Sequence, residues 1–282
     1  MELELKNIDH QEYNNVLFEK DVKGKDFRYN VLFRTGAKGI KFEDCDFSFA
    51  VLNQAYFRNA VFVKCKFIGT FFIDCNFRGA ELHECDFKYS NFQNTIIPSN
   101  VVLDNLPEWP NVKRELLRMH RVNAANLGDA EAVKLYIREE LVAQREHYRR
   151  ARKRNESYYS NKYSGLMNWF FVRMKSIQLW LDWNLWGHGE YPLKLIKSTI
   201  IILSGITLFV TFRITNVNGQ LSINEFFHSI LKSLEYTFNA FIGLSNESLY
   251  KISVFWTYFV VIYRIIVIGM FVSVLFRYLS KR

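Results

Sequence analysis

From Phe42 to Ile97 a large apolar residue returns at every fifth position: Phe42, Phe47, Leu52, Phe57, Phe62, Phe67, Phe72, Phe77, Leu82, Phe87, Phe92 and Ile97. Two positions before each stands Ile40, Cys45, Ala50, Ala55, Ala60, Cys65, Thr70, Cys75, Ala80, Cys85, Ser90 or Thr95, and all but the first are small. Side chains repeat every two residues along a strand and every 3.6 along a helix, so a phased period of five suits neither. It suits a square solenoid. Phe27 and Leu32 keep the phase upstream whereas Ala37 weakens it, so the first coil is expected to be irregular.

These residues resemble the A-(D/N)-L-x-x signature of pentapeptide-repeat proteins. The resemblance implies a right-handed quadrilateral β-helix with four repeats per coil, the large residue stacked inside and the small one at a cramped corner. Twelve repeats then give three coils over residues 25–100. At about 4.8 Å between stacked strands this is a stub roughly 14 Å long, preceded by a lead or cap over residues 1–24 and in need of closure at both ends. All four cysteines, Cys45, Cys65, Cys75 and Cys85, take the small position, which accounts for their spacing without metal or redox chemistry. No C-x-x-C pair occurs, reduced thiols are expected, and neither a metal nor a cofactor is expected. Some pentapeptide-repeat proteins imitate DNA, which requires an acidic flank. Residues 25–100 carry ten Lys or Arg against eight Asp or Glu, which disfavours that role.

After Pro98, Pro107 and Pro110, the pattern over residues 111–154 is helical, with Gly128-Asp129 as a stop and an N-cap. Two helices packed as a hairpin, a neck over residues 101–160, are expected. The stretch LGDAEAVKLYIREELVAQREHY, Leu127 to Tyr148, resembles the helical segment that follows the repeats in a bacterial family of membrane-anchored pentapeptide proteins. In that family a motif like G-Y-G-E-R-P precedes the first span. Here it reads WGHGEYPLKLIK, Trp186 to Lys197, with His188 in place of the Tyr and Tyr191 in place of the Arg. No catalytic chemistry accompanies the resemblance: His188 and Glu190 have no nucleophile or metal-spaced partner nearby. The run Arg145, Arg149, Arg150, Arg152, Lys153 and Arg154 suits lipid headgroups better than nucleic acid. It lies just upstream of MNWFFVRMKSIQLWLDWNLW, Met167 to Trp186, where Trp and Phe alternate with Arg173, Lys175 and Asp182. This reads as an interfacial amphipathic helix, with the GHGEYP junction, over residues 161–192.

The remainder, residues 193–282, reads as a transmembrane domain. Residues 193–212 and 252–276 are each long and apolar enough to span, with Lys194 and Lys197 placed to snorkel. Residues 141–197 hold eleven Lys or Arg against four acids, and the connecting loop 213–251 holds three of each. The positive-inside rule therefore puts both termini in the cytoplasm, and the family resemblance puts the chain in a bacterial inner membrane. The opening MELELKNIDHQEYNN has no apolar h-region, so no cleaved signal is expected. The net charge of +9 fits an anionic membrane surface as well as it fits nucleic acid.

Between the spans, Ser222-Ile-Asn-Glu225 is a capping box opening a short re-entrant helix that carries Phe226, Phe227, Ile230, Leu231 and Leu234. The segment 222–248 ends in TFNAFIGLSNES, Thr237 to Ser248, which resembles the pore loop of two-span potassium channels, where a helix delivers T-V-G-Y-G-D. Phe241, Ile242, Gly243, Leu244, Ser245 and Asn246 align on that pattern and keep only its first Gly. Leu244 and Ser245 remove the run of carbonyls that selects potassium. A helix C-terminus directed at a pore would still favour cations. Arg264 interrupts the second span, where a charge costs about 2.5–3.5 kcal/mol. On a helical wheel Ser253, Thr257 and Arg264 form one polar stripe, within about 40°. Arg264 is either a pore-lining or gating charge, which would oppose cation flow, or a structural arginine bound to helix carbonyls or to Glu235. Gly269, on the other side, is a gating bend or a packing contact.

Together these features predict an oligomeric ion channel or pore-forming effector. The channel resemblance implies a tetramer, lipid surrounds the spans, and a cytoplasmic protein or ligand is sensed by the β-helix. The alternative is a membrane-anchored scaffold without conduction. An enzyme is the weakest reading, because H-E-x-x-H, G-x-S-x-G and phosphate-binding glycine loops are missing.

Overall fold

The computed structural model describes residues 11–189, 191–218, 223–244 and 254–279. The chain forms two compact units, Met1–Val172 and Arg173–Arg282.

The first unit opens with nine short strands: β1 (Glu12–Asn14), β2 (Val22–Lys23), β3 (Val31–Phe33), β4 (Lys41–Glu43), β5 (Val51–Asn53), β6 (Val61–Val63), β7 (Phe71–Ile73), β8 (Glu81–His83) and β9 (Asn91–Gln93). They make two parallel sheets, β1-β3-β5-β7-β9 and β2-β4-β6-β8. From β2 onward each strand pairs with the one 20 residues later, as in Val31↔Val51 and Phe42↔Phe62. Two series of single-residue bridges, Gly36↔Tyr56↔Asn76↔Ile96 and Asp26↔Asp46↔Lys66↔Asp86, supply the other two sides of the square. The result is a parallel β-solenoid.

Its interior is the predicted phase. Phe27, Phe47, Phe67 and Phe87 stack down one side with centroids 4.6, 5.1 and 4.9 Å apart, and Phe72 lies 4.6 Å from Phe92 on another. The small position is equally buried, and Thr70 and the four cysteines share one task there. Thr70 Oγ1 donates to Phe47 O at 2.7 Å, and Cys75 Sγ donates to Leu52 O at 3.2 Å, each reaching a carbonyl 23 residues earlier. A cysteine here stands in for a hydroxyl, which explains why Cys and Thr interchange at this site. All four cysteines are free and buried.

The solenoid begins earlier than residue 25 and makes about four turns instead of three. β1 pairs with β3 at a register of 19, as in Tyr13↔Leu32, whereas β2 and β4 keep 20. One residue is therefore missing from the first coil. Tyr13 and Phe18 pack against the interior and Leu17 is exposed, so the phase is broken at the point where it would have identified this coil.

The far end is closed by side chains. Three helices follow: α1 (Ser99–Asp104), α2 (Pro110–Asn126) and α3 (Ala130–Lys153). Asn105 Oδ1 accepts from Cys85 N at 2.8 Å while its Nδ2 donates to Leu82 O at 2.9 Å. Asn123 does the same at Thr95, accepting from its N at 2.9 Å and donating to its O at 2.7 Å. These amides supply the backbone partners that another coil would have provided, and His120 lies on Phe92 at 4.1 Å, ending the ring stack. Helices α2 and α3 meet at a turn with Gly128 at a φ of 73° and the Asp129 carboxylate accepting from Ala132 N at 2.9 Å. Beyond α3, helix α4 (Ser157–Lys162) sets Tyr159 and Tyr163 on the two ring nitrogens of His147, at 3.3 and 2.9 Å.

The second unit contains most of α5 (Leu166–Leu185), a 3-10 turn at Gly187–Gly189, α6 (Pro192–Asn218), α7 (Ile223–Ile242) and α8 (Val254–Leu279). Two stretches, Pro192–Phe212 and Tyr258–Phe276, are long and apolar enough to cross a membrane. Ile206, Val210, Ala240 and Val260 form the contact shared by α6, α7 and α8. At 20 residues, α7 is longer than the short re-entrant segment expected, about 30 Å by helical rise. Lys194 does not simply snorkel: its ammonium lies 3.3 Å from the centre of the Trp183 ring.

Candidate functional site

In the second unit two residues that the sequence singled out separately come together. Helix α7 ends where the N–H groups of Gly243 and Leu244 both donate to Asn239 O at 2.9 Å, with Gly243 at a φ of 90°, a conformation that glycine adopts without strain. Against the α-carbon of Gly243 lies the guanidinium of Arg264, from α8. It is so close that a Cβ at 243 would overlap Nη1. No ion pair joins Arg264 to Glu235. A positive charge therefore stands at the C-terminal end of α7, where the helix dipole is partially negative. The two expectations that conflicted in sequence, a cation-favouring helix end and a cation-repelling arginine, fall on one spot and offset each other.

The other pore candidates are placed less centrally. Phe241 is half-buried, 6.4 Å from Tyr263, while Ile242 and Leu244 are exposed. Thr257 is on α8, and Ser245, Asn246 and Ser253 lie outside the described residues, as do Ser222 and Glu190. Helix α8 runs unbroken through Gly269, where a Cβ would meet open space, so neither a bend nor a packing contact within the chain is found there. Helix α7 leaves a stripe, Phe227, Leu231, Leu234, Phe238 and Ile242, exposed along its length.

The basic run is divided by the fold. Arg149 and Arg150 bind Glu146 at 2.6 and 2.9 Å, and these contacts hold the carboxyl down at about 2. Arg154 takes the left-handed position that ends α3 and donates to Tyr163 O at 2.6 Å. Arg145 is half-buried. Arg152 and Lys153 are exposed and make no ion pair among the described residues.

A second candidate surface was missed from sequence. The outward residues of the five-stranded sheet from β3 to β9 are Val31, Phe33, Val51, Asn53, Phe71, Ile73, Asn91 and Gln93, while β1 adds Glu12 and Asn14 at one end and the Arg34 guanidinium lies 4.9 Å over the Phe33 ring. A corner column 20 residues apart, Tyr29, Phe49, Gly69 and Tyr89, borders this face. Tyr29 stacks on Phe49 at 5.3 Å, and the Phe49 ring covers Gly69, where a Cβ would come within 2.8 Å of it. The other sheet turns Lys23, Lys41, Glu43, Glu81 and His83 outward, and Lys41 and Glu43 pair at 2.7 Å. The signal was available every fourth repeat, in the apolar residues flanking Leu32, Leu52 and Phe72, against Lys41 and Glu43 about Phe42 and Glu81 and His83 about Leu82. Among the described residues no group of three His, Cys, Asp or Glu is placed to hold a metal ion.

Residues 38–105 match the family model described as a pentapeptide repeat region. The solenoid is built of pentapeptide repeats. A crystal structure of a pentapeptide repeat protein from the cyanobacterium Cyanothece is 11% identical, over 30% of this chain and 71% of that one, with a TM-score of 0.27. A pentapeptide repeat protein from the Arabidopsis thaliana thylakoid lumen is 14% identical over 36% and 76%, with a TM-score of 0.18. A plasmid-mediated fluoroquinolone resistance protein is 16% identical over 32% of this chain and 63% of its own, with a TM-score of 0.15. No curated protein matches the chain.

Proposed function

We propose that this chain is a membrane-anchored pentapeptide-repeat scaffold, in which α6 and α8 cross a bacterial inner membrane and the solenoid presents a protein-binding face in the cytoplasm. The observation that carries the reading is the apolar patch of Val31, Phe33, Val51, Phe71 and Ile73 on the outward face of the five-stranded sheet, bordered by the Tyr29, Phe49 and Tyr89 column. A contiguous exposed apolar face marks an interaction surface. The exposed Trp169, Phe170, Phe171 and Trp180 of α5, with Arg152 and Lys153 upstream, suit lipid headgroups. The test is fractionation with protease protection: the chain is expected in carbonate-washed membranes, with tags at both ends digested only from the cytoplasmic side. Recovery in the soluble fraction overturns the reading.

Conduction is a second reading, favoured by the seating of Arg264 on Gly243. Here a ring of copies, four by the channel resemblance, places the α7 turn at a pore, and Arg264 holds that turn closed. Purified protein in planar bilayers then passes single-channel currents that rise on Arg264→Ala. Silent bilayers for both forms leave the scaffold alone.

A further inference from the structure

We infer that the corner column Tyr29, Phe49 and Tyr89 is a docking track for a proline-containing basic segment of another protein, whose positive side chain enters an acidic cavity at the capped end of the solenoid. The inference rests on the scaffold reading and adds the chemistry of the partner. The column is set apart by its backbone. Residues in the left-handed region recur at the solenoid corners, and a bulky side chain is strained there. At the other corners, among the described residues, they are glycine or polar, as in Gly39, Asn59 and Gly79 of the diagonally opposite corner. Tyr29, Phe49 and Tyr89 take this conformation at φ of 63, 60 and 61°, and each is at least 40% exposed. The fold gains little from rings so exposed, and strain of this kind gathers at binding sites.

Spacing and charge select the occupant. Gly69 leaves the third rung empty, with the Phe49 ring lying over it, so Phe49 and Tyr89 stand two coils apart. At ~4.8 Å per coil the separation is about 9.6 Å. A polyproline II helix advances about 9.3 Å in three residues, so two prolines three apart meet the two rings in register. Tyr29, stacked on Phe49 at 5.3 Å, extends the track. At the capped end a cavity of about 310 Å³ is bounded by Glu84, Asp86, Asp104 and Glu108, by the half-exposed Trp109, and by Lys88, the neighbour of Tyr89 in the chain. Lys88 is held by Asp86 at 3.0 Å, and Arg28, beside Tyr29, by Asp26 at 2.7 Å. Glu84, Asp104 and Glu108 make no ion pair among the described residues, so the cavity keeps an excess of negative charge. An arginine or lysine entering it meets carboxylates and an indole face.

The test is fluorescence anisotropy on detergent-solubilised full-length chain with two labelled peptides, Arg-Ala-Leu-Pro-Ala-Leu-Pro and its reversed sequence, since the track can be followed in either direction. One of the two is expected to bind saturably. Replacing both prolines by alanine, or the arginine by glutamate, is expected to weaken it at least about tenfold. Tyr89→Gly removes the ring and keeps the left-handed backbone, so its thermal midpoint is expected to be no lower while binding falls at least about tenfold. Asn59→Gly, at the opposite corner, is expected to leave binding unchanged. Glu108→Lys is expected to reverse the preference, favouring the glutamate peptide over the arginine one. Silence of both peptides overturns the proposal, as does equal binding of the alanine peptide or equal binding by Tyr89→Gly. A particle mass that halves in Tyr89→Gly assigns the column to a second copy and overturns it too. Anchoring is read separately, by release in carbonate, so either reading can fail without the other.

Discussion

Lowering the pH from 7 to 5 is expected to loosen the junction between solenoid and neck through one residue. His120 is 2% exposed between Phe92 and Tyr136, its ring centroid 4.1 and 5.6 Å from theirs, and its Nδ1 has no hydrogen-bond partner. Burial pushes its pKa down from 6.5 to about 3. Over that interval the unfolded chain takes up a proton that the folded chain refuses, so stability is full above 6.5 and falls as the pH drops toward 3. At roughly 1.4 kcal/mol per pH unit, the loss between pH 7 and 5 is about 2 kcal/mol. The paired carboxyls of Glu43 and Glu146, held at about 2 by their Lys and Arg partners, lose their contribution only below their ordinary 4.5. His147, pushed by burial to about 4, adds a loss of the same sign and nearly the same size over this interval, because its folded value also lies below 5. His120→Phe keeps the ring stack and removes the proton site, leaving only the part due to His147. The assay is the urea midpoint of detergent-solubilised full-length protein, read by pulse-labelling the four buried cysteines after a jump to pH 7. Equal midpoints at pH 5 and 7, or an undiminished shift in His120→Phe, would refute the reasoning.

Three further outcomes test other parts of the structure. Asn105→Ala leaves Cys85 N–H and Leu82 C=O unpaired in a buried position and should cost about 1–3 kcal/mol, seen as faster hydrogen exchange at the Cys85 amide; unchanged exchange there contradicts the capping role. Gly243→Ala should destabilise the second unit by about 1–3 kcal/mol, from its left-handed φ and its overlap with the guanidinium, and Arg264→Ala should recover only the overlap. Strict additivity of the two in thermal unfolding would mean that the residues do not touch. Cys75, whose thiol burial pushes up to about 12, should resist iodoacetamide at pH 8.5 until the solenoid unfolds, and labelling of the native protein would place it elsewhere.

The solenoid was legible because each repeat states its own placement: Phe47 and Cys45 need no distant partner to specify an interior ring and a cramped corner. The helical hairpin was legible for the same reason, since Gly128 and Asp129 act on their own neighbours. Other features had no local signature. Arg149, Arg150 and Arg154 look like free surface charge in sequence, yet Glu146 and the Tyr163 carbonyl occupy them. The apolar sheet face was hidden because the five-residue phase describes what points inward, and the outward residues of one sheet recur only once per coil, every 20 residues.

A phased alternation of large and small side chains admits one backbone path, so the chain alone specified the square interior, the buried thiols and the two lipid-length apolar helices. Packing in three dimensions specified the rest. It drew Tyr13 and Phe18 into a coil one residue short, set Asn105 and Asn123 as surrogate backbone at the open edge, and laid Arg264 on Gly243. Each of these is a contact whose free energy depends on where two separate segments meet, and no periodicity within either segment encodes that distance.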